Sequence, residues 1–501
     1  MHPDSYYLPG SSISSSCHSK KPRSEPDRAG KYGAPGTDCD SPLSLVNVTL
    51  DWIEKEWADK IDFVISAGLL RRDWHDIDSN IPRTPAEIRD MNRQIARQMD
   101  MLFTPRGVPV VPSIGNNDIW PHNIMYEGPS AITNDFLETW RSFVPFPAYQ
   151  VFQRGVYFST ELVPNRLAAI SLNTLYWYES NKAVDGCPKK GNDPGTLELA
   201  RGPAEDVPVS KNAGACLNRD MRSGVLSLHF AGMVNRPCGP NSCQDTILGH
   251  LYGHKNVDHF VLLSVNDVLS PLPSMRITGR KKELQIAESL RSECKELARK
   301  KKLDCDDYFV VNIGPSVIPE YTPSVRIFTY NVTDAGSSSI NGNEDDSLDL
   351  REMNAPKIDC SKKENKNKKQ CVFKKPRHAS KHSPSRTNKL WSPTGYSQFF
   401  ISPSNWAKAN ASHAPEYELE YVTYSLETLR SNSSLVPEHL LPPELRAGSI
   451  ESASNSRYAP FALNDLTIPS WIKFARRMGR KKKLWRRFEE AMFLETRIDT
   501  D

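Results

Sequence analysis

No run of eighteen apolar residues occurs in the 501-residue chain, so the sequence predicts no membrane-crossing helix. The opening Met1-His2-Pro3-Asp4 is not a charged-then-apolar leader, and no signal peptide is expected there. Ten cysteines are present without one Cys-x-x-Cys pair, which argues against a thiolate metal site of that pattern. No internal repeat is visible. The formal net charge is only +4, so bulk charge selects no partner. Its distribution says more. Lys362 to Arg386 holds ten Lys/Arg and one Glu, and Arg476 to Arg487 holds eight Lys/Arg and no acid. Such runs attract polyanions when they are more than solvated surface.

With 38 prolines and 38% hydrophobic residues, the chain reads as part globular, part irregular. Ser41-Pro42 predicts a helix start, with Leu43, Val46, Leu50, Ile53 and Trp57 as its buried stripe. A short strand follows at 62–66. Thr84-Pro85 predicts a second helix running to about Phe103, then an extended segment at 108–114. Further strands are expected at 167–174, 259–265, 308–313 and 325–330, and a helix at 283–300. This alternation predicts an α/β core ending near residue 335. Residues 336–390 lack periodic apolar signal and read as a disordered basic linker. Order returns in a C-terminal extension, 391–501. Its stretch 468–493 reads as one basic amphipathic helix, with Trp471, Ala475, Met478, Trp485, Phe488 and Met492 on one side.

Three segments carry residues suited to metal-assisted phosphoryl chemistry, which places His, Asp and Asn at strand ends. Gly115-Asn116-Asn117-Asp118 ends an extended segment; Asn116 could offer a carbonyl to a metal, although such a sequence is also a good turn. Gly249 to Phe260 contains His250, His254, Asn256, Asp258 and His259 just before a strand. His2-Pro3-Asp4 stands at the start. Four N-glycosylation sequons, at Asn47, Asn331, Asn410 and Asn432, hint at a secretory or vacuolar lumen.

Taken together, these segments resemble the fungal endopolyphosphatases, of the acid sphingomyelinase-like branch of the calcineurin-like phosphoesterase superfamily. The resemblance lies in His2-Pro3-Asp4-Ser5-Tyr6-Tyr7, the block Lys31 to Pro42, Gly115-Asn116-Asn117-Asp118-Ile119-Trp120-Pro121-His122-Asn123, and the block Ser171 to Cys187. It continues in Tyr252-Gly253-His254-Lys255-Asn256-Val257-Asp258-His259-Phe260 and in Leu466 to Ile472 with the basic stretch after it. It implies an α/β fold, a sandwich of two mixed β-sheets flanked by helices, over residues 1–335. The implied activity is hydrolysis of internal phosphoanhydride bonds of inorganic polyphosphate with two divalent ions (Mn, Mg, Co or Zn). By resemblance His2, Asn116, His254 and Asn256 hold metal, and Asn116 and His250 contact substrate. Asn117 stands where many relatives place a proton-donating His, and His254 is assigned to catalysis. Cys17 and Cys39 are the implied disulfide. The resemblance also implies a vacuolar lumen or vacuolar membrane setting and no nucleic-acid partner.

The pattern has gaps. Gly68-Leu69 replaces the Gly-Asp whose carboxylate bridges the metals, the Asp two residues before His2 is absent, and residues 190–244 show no Gly-His loop. These gaps predict weak metal binding and little activity. Two other readings are a sphingomyelinase-like phosphodiesterase and a non-catalytic polyanion-binding protein.

Overall fold

A computed structural model describes residues 1–19, 28–67, 83–177, 181–183, 227–232, 247–264, 280–301, 303, 305, 308–333, 383–410, 412–446 and 457–494. Leu69, most of 190–244 and the basic run 362–381 lie outside them.

The described chain is mixed α/β with several sheets. Two-residue strands β1 (Pro3–Asp4) and β2 (Ser41–Pro42) pair in parallel. Helix α1 (Leu43–Glu56) follows at once. Ser41 is therefore not the helix cap that the Ser-Pro signal predicts. Its backbone pairs with β1, and its hydroxyl donates instead to the Val317 carbonyl at 2.7 Å. β3 (Val64–Ala67) and β4 (Val110–Ser113) form a parallel pair, joined by a connection that includes α2 (Pro85–Phe103). At α2 the local signal holds. Thr84 accepts from the Glu87 amide while Glu87 reaches back to the Thr84 amide, a reciprocal cap that satisfies two donors the helix leaves open.

α3 (Ala131–Thr139) and α4 (Tyr149–Gly155) lead into the largest sheet. Its members are β5 (Phe158–Val163), β6 (Leu167–Leu172), β7 (Ser227–Gly232), β8 (Ile247–Tyr252), β9 (His259–Ser264) and β10 (Tyr308–Ile313), in the order β5-β6-β7-β8-β10-β9. Strand β7 falls inside 190–244, where the sequence shows no recognisable pattern; backbone pairing to both β6 and β8 fixes it. Helix α5 (Arg280–Arg299) precedes β10.

β11 (Ser324–Tyr330) pairs with β12 (Pro393–Phe400), which pairs with β13 (Glu418–Val422). The last strand before the basic stretch thus continues directly into the extension. Residues 383–389, read as linker, are placed: Ser383 and Ser385 are buried, and Arg386 donates to the Cys305 carbonyl at 3.2 Å. Short helices α6 (Pro403–Lys408) and α7 (Leu426–Ser431) flank β13.

The tail is two helices rather than one, α8 (Ile468–Arg480) and α9 (Lys482–Met492). Lys481 between them is extended, with φ −108° and ψ 98°, and breaks the helical ladder. All six residues of the expected apolar side are nevertheless buried. They join Leu290, Cys294 and Leu297 of α5 and Phe260 of β9 in one core. A separate core fills the space between α1, α2 and strands β4 to β6.

Helix α8 crosses α5 at Gly479. A Cβ there would lie 2.1 Å from the Cys294 carbonyl oxygen and 2.9 Å from Ala298 Cβ. Gly479→Ala should therefore destabilise the protein by about 1–3 kcal/mol, as overpacking does. The opposing gain in helix propensity is only about 1 kcal/mol. Urea denaturation checks the sign.

Candidate active site

The loop after β4 is built as a locked turn. Asp118 accepts from the Gly115 amide at 2.6 Å through its side chain and from Asn92 Nδ2 at 3.2 Å through its carbonyl. Asn116 is buried, and its Nδ2 lies within hydrogen-bond distance of Asn117 Oδ1 (3.1 Å), His122 Nε2 (2.9 Å) and Asn123 Oδ1 (2.9 Å). Exchanging nitrogen and oxygen would set the carbonyl against two other carbonyl oxygens, so these neighbours fix the amide with Oδ1 outside the cradle. Asn117 acts here as one of the acceptors.

The second loop, 253–258, leaves the end of β8. The first third of the His-rich run, Gly249 to Tyr252, is strand rather than loop. His250 accordingly sits within β8, opposite Val311, with its ring 5.6 Å from Phe309. His254 and Asn256 occupy the loop with positive φ, +78° and +62°, a region that costs non-glycine residues energy and often marks a functional constraint. Asn256 Oδ1 accepts from Ser316 Oγ at 2.7 Å, tying the loop to the turn after β10.

His2 enters beside these. Its carbonyl accepts from the Ser41 amide at 2.9 Å, and its Nδ1 is 3.7 Å from Asp40 Oδ1. The neighbouring Asp4 is buried, 2.7 Å from His18 Nε2, and paired with Arg83. A disulfide joins Cys17 to Cys39, with 5.8 Å between Cα atoms, and secures the same segment.

Strand direction brings the loops together. In the large sheet the C-terminal ends of β6, β8 and β10 lie at one edge, Leu172 opposite Ser227, Ser227 opposite Tyr252, and Tyr252 opposite Ile313. The C-terminal end of β4 meets that edge, because Ser171 Oγ donates to the Pro112 carbonyl at 2.7 Å and lies 3.2 Å from Ser113 Oγ. Met1, beside His2, packs against the core that includes Ile114 and Ile119 of the loop after β4. On the other side, Ser41 reaches Val317, next to the Ser316 that holds Asn256. His2, Asn116, His254 and Asn256 therefore stand on segments gathered at one sheet edge; His250 is set back within the sheet.

No protein-family model matches the chain. Among curated proteins it is similar to an endopolyphosphatase from Cryptococcus neoformans, 36% identical over 100% of this chain and 91% of that protein. The chain belongs to the endopolyphosphatase family. Further relatives of that name come from Saccharomyces cerevisiae, 28% identical over 100% of this chain and 85% of the relative, and Schizosaccharomyces pombe, 29% identical over 96% and 82%.

The segment 252–260 is held from behind. Asp258 is buried. Its Oδ2 accepts from Gln398 Nε2 at 3.0 Å and from the Tyr421 hydroxyl, and its Oδ1 pairs with Arg326. Arg326 also donates through Nε to Gln398 Oε1 at 3.0 Å and lies 4.0 Å over the Tyr396 ring. Burial opposes the charge on Arg326, but Asp258 holds it fully protonated. The Asp258 amide donates to the Met492 carbonyl at 3.0 Å. His259 Nδ1 is 3.0 Å from the Val257 carbonyl, and burial pushes its pKa down to about 4.

Among the described residues, no three His, Cys, Asp or Glu side chains gather as a metal-holding group. The donors at this edge are the imidazoles of His2 and His254, the Asp40 carboxylate beside His2, and amide oxygens of Asn116 and Asn256. They match a divalent ion in donor type and supply a partial shell, since hard ions favour anionic oxygen. Ser316 and Arg326 escaped sequence reasoning, whereas Asp40, His122 and Asn123 entered it only inside the strings that carry the family resemblance. Ser316 had a usable signal, because it lies three residues after the strand expected at 308–313; Asp40 adjoins Ser41, which reads as a helix start. Of the sequon residues, Asn47, Asn410 and Asn432 are exposed and Asn331 is partly buried.

Two outcomes follow from the buried groups. Arg326→Met leaves Asp258 buried without its counter-ion and should cost about 3–5 kcal/mol in denaturant titration. His259 binds a proton less readily folded than unfolded, so its contribution is complete above pH 6.5 and is lost as pH falls toward 4. The loss should total roughly 3 kcal/mol. Melting curves across that window should show it, and His259→Asn should flatten this component.

Proposed function

We propose that the protein hydrolyses internal phosphoanhydride bonds of inorganic polyphosphate. The observation that carries the proposal is full-length similarity to proteins named endopolyphosphatase, with the family's key segments meeting at one sheet edge. The finer architecture we propose is a sandwich, with the β3–β4 pair and its partners facing the six-stranded sheet. The contact of β4 with β6 supports it.

His2, Asn116, His254 and Asn256 would hold the divalent ions. When bound they polarise a phosphoryl oxygen and lower the pKa of water. The residues themselves do the positioning. His122, Asn123 and Asn117 keep the Asn116 carbonyl outward, and Ser316 orients Asn256. Asn117, an amide, is a poor proton donor. Polyphosphate tolerates this, because its leaving group is a stable phosphate anion. A vacuolar setting fits the family reading and the exposed sequons.

Leu69 lies in the place of a bridging carboxylate, so the second ion is expected to bind weakly and assays should supply metal in excess. With Mn, Mg, Co or Zn present, long-chain polyphosphate should shorten on a gel. His254→Ala should reduce cleavage at least about 100-fold and lower metal content. Near-normal turnover with full metal content would remove His254 from the site.

A further inference from the structure

The tail helices leave one strongly charged surface that the catalytic reading does not use. Their apolar sides face inward: the Phe260 ring lies 4.5 Å from Trp471, 5.9 Å from Phe474 and 5.7 Å from Phe488. What remains outside is cationic. Arg480, Lys481, Lys482, Lys483 and Arg486 are all exposed, as are Arg299, Lys300 and Lys301 at the end of α5. The two clusters adjoin, because Arg476 donates to the Lys300 carbonyl at 3.1 Å. Some charge is offset locally: Lys300 is 3.1 Å from Glu296, and Arg486 is 3.6 Å from Glu490. No acid lies between residues 476 and 487, so the excess centres on Lys481 to Lys483.

The surface is also connected to the catalytic edge. Helix α9 runs from Lys482 to Met492, whose carbonyl accepts from the Asp258 amide. Eleven residues at about 1.5 Å each set the cationic tip roughly 16 Å along the helix from that contact.

The chemistry narrows the ligand. An amphipathic helix that inserts into a membrane surface uses its apolar face, and here that face is spent on the protein's own core, which leaves only charge to attract a lipid surface. Single-stranded nucleic acid is held by aromatic platforms as well as cations, and both tryptophans of these helices, Trp471 and Trp485, are buried. Exposed cations, only part of whose charge Glu296 and Glu490 offset, suit a polyanion with no apolar part. We propose that this surface, centred on Lys481 to Lys483 with Arg480, Arg486 and Arg299, is a second binding site for polyphosphate. It holds a segment of the chain away from the bond being cut. The proposal rests on the polyphosphate reading and adds a place where a long substrate is retained during internal cleavage.

The test is binding of long-chain polyphosphate to the full chain in EDTA, where cleavage is silent. The variant carries Lys481→Gln, Lys482→Gln, Lys483→Gln and Arg486→Gln together. Affinity should fall about tenfold or more at low salt, with a shallower salt dependence, because fewer counterions are displaced. His254→Ala should bind like the parent. With metal, the Michaelis constant for long chains should rise while cleavage of short polyphosphate chains, which still contain internal bonds, stays unchanged. Should the fourfold variant melt early, Lys482→Gln alone carries the same comparison with a smaller shift. Unchanged polyphosphate affinity at low salt would overturn the proposal. So would a loss of RNA or phosphatidylserine-vesicle binding with polyphosphate binding intact. If the parent binds polyphosphate through these lysines yet never shortens it with metal, the catalytic reading falls and the binding site stands.

Discussion

Behind the 253–258 loop a carboxylate and a guanidinium are buried together. Taking two charges out of water costs several kcal/mol each, and their attraction offsets this only when the remaining hydrogen-bonding capacity is filled. Here it is filled. Gln398 bridges both partners, Tyr421 donates to Asp258, and the Tyr396 ring lies under Arg326. The partners come from four strands or strand ends, so the arrangement fixes how β11, β12 and β13 sit against β9. An apolar replacement could be as stable. What the ion pair adds is one specific register between the loop and the extension.

That register matters because the loop carries strain. His254 and Asn256 adopt backbone conformations that cost a non-glycine residue energy, and such conformations persist only where the surroundings over-determine them. Ser316 restrains the loop from the side, Asp258 from behind, and Met492 through the main chain. The opposite loop shows the same logic without a positive φ at Asn116: two amide oxygens and a ring nitrogen around one amide nitrogen decide which way its side chain faces.

Much of this was legible in the sequence wherever the cause is local. The Thr84 cap, the α2 helix and the apolar side of 468–493 follow from neighbours a few residues apart, and the structure has them. The Ser41-Pro42 signal misled because a partner 276 residues away takes the hydroxyl that would have capped the helix. The split at Lys481 leaves no trace in the apolar periodicity, which runs on through it. The residues around the candidate site divide the same way. Those in short strings, such as Asn116 and His254, stand out by spacing. Arg326, Gln398 and Tyr421 sit in ordinary strands and acquire meaning only when the strands assemble.

The bond from the Asp258 amide to the Met492 carbonyl joins the middle of the chain to its far end. A ribosome makes the chain from one end, and 234 residues separate the two partners. During synthesis the loop therefore waits for this bond until residue 492 emerges. A chain cut short anywhere between the 253–258 loop and Met492 would carry every loop residue in its sequence and still lack the brace that sets them. The geometry of the loop is thus tied to a residue made long after it, and partial products of translation that stop between them lack that support.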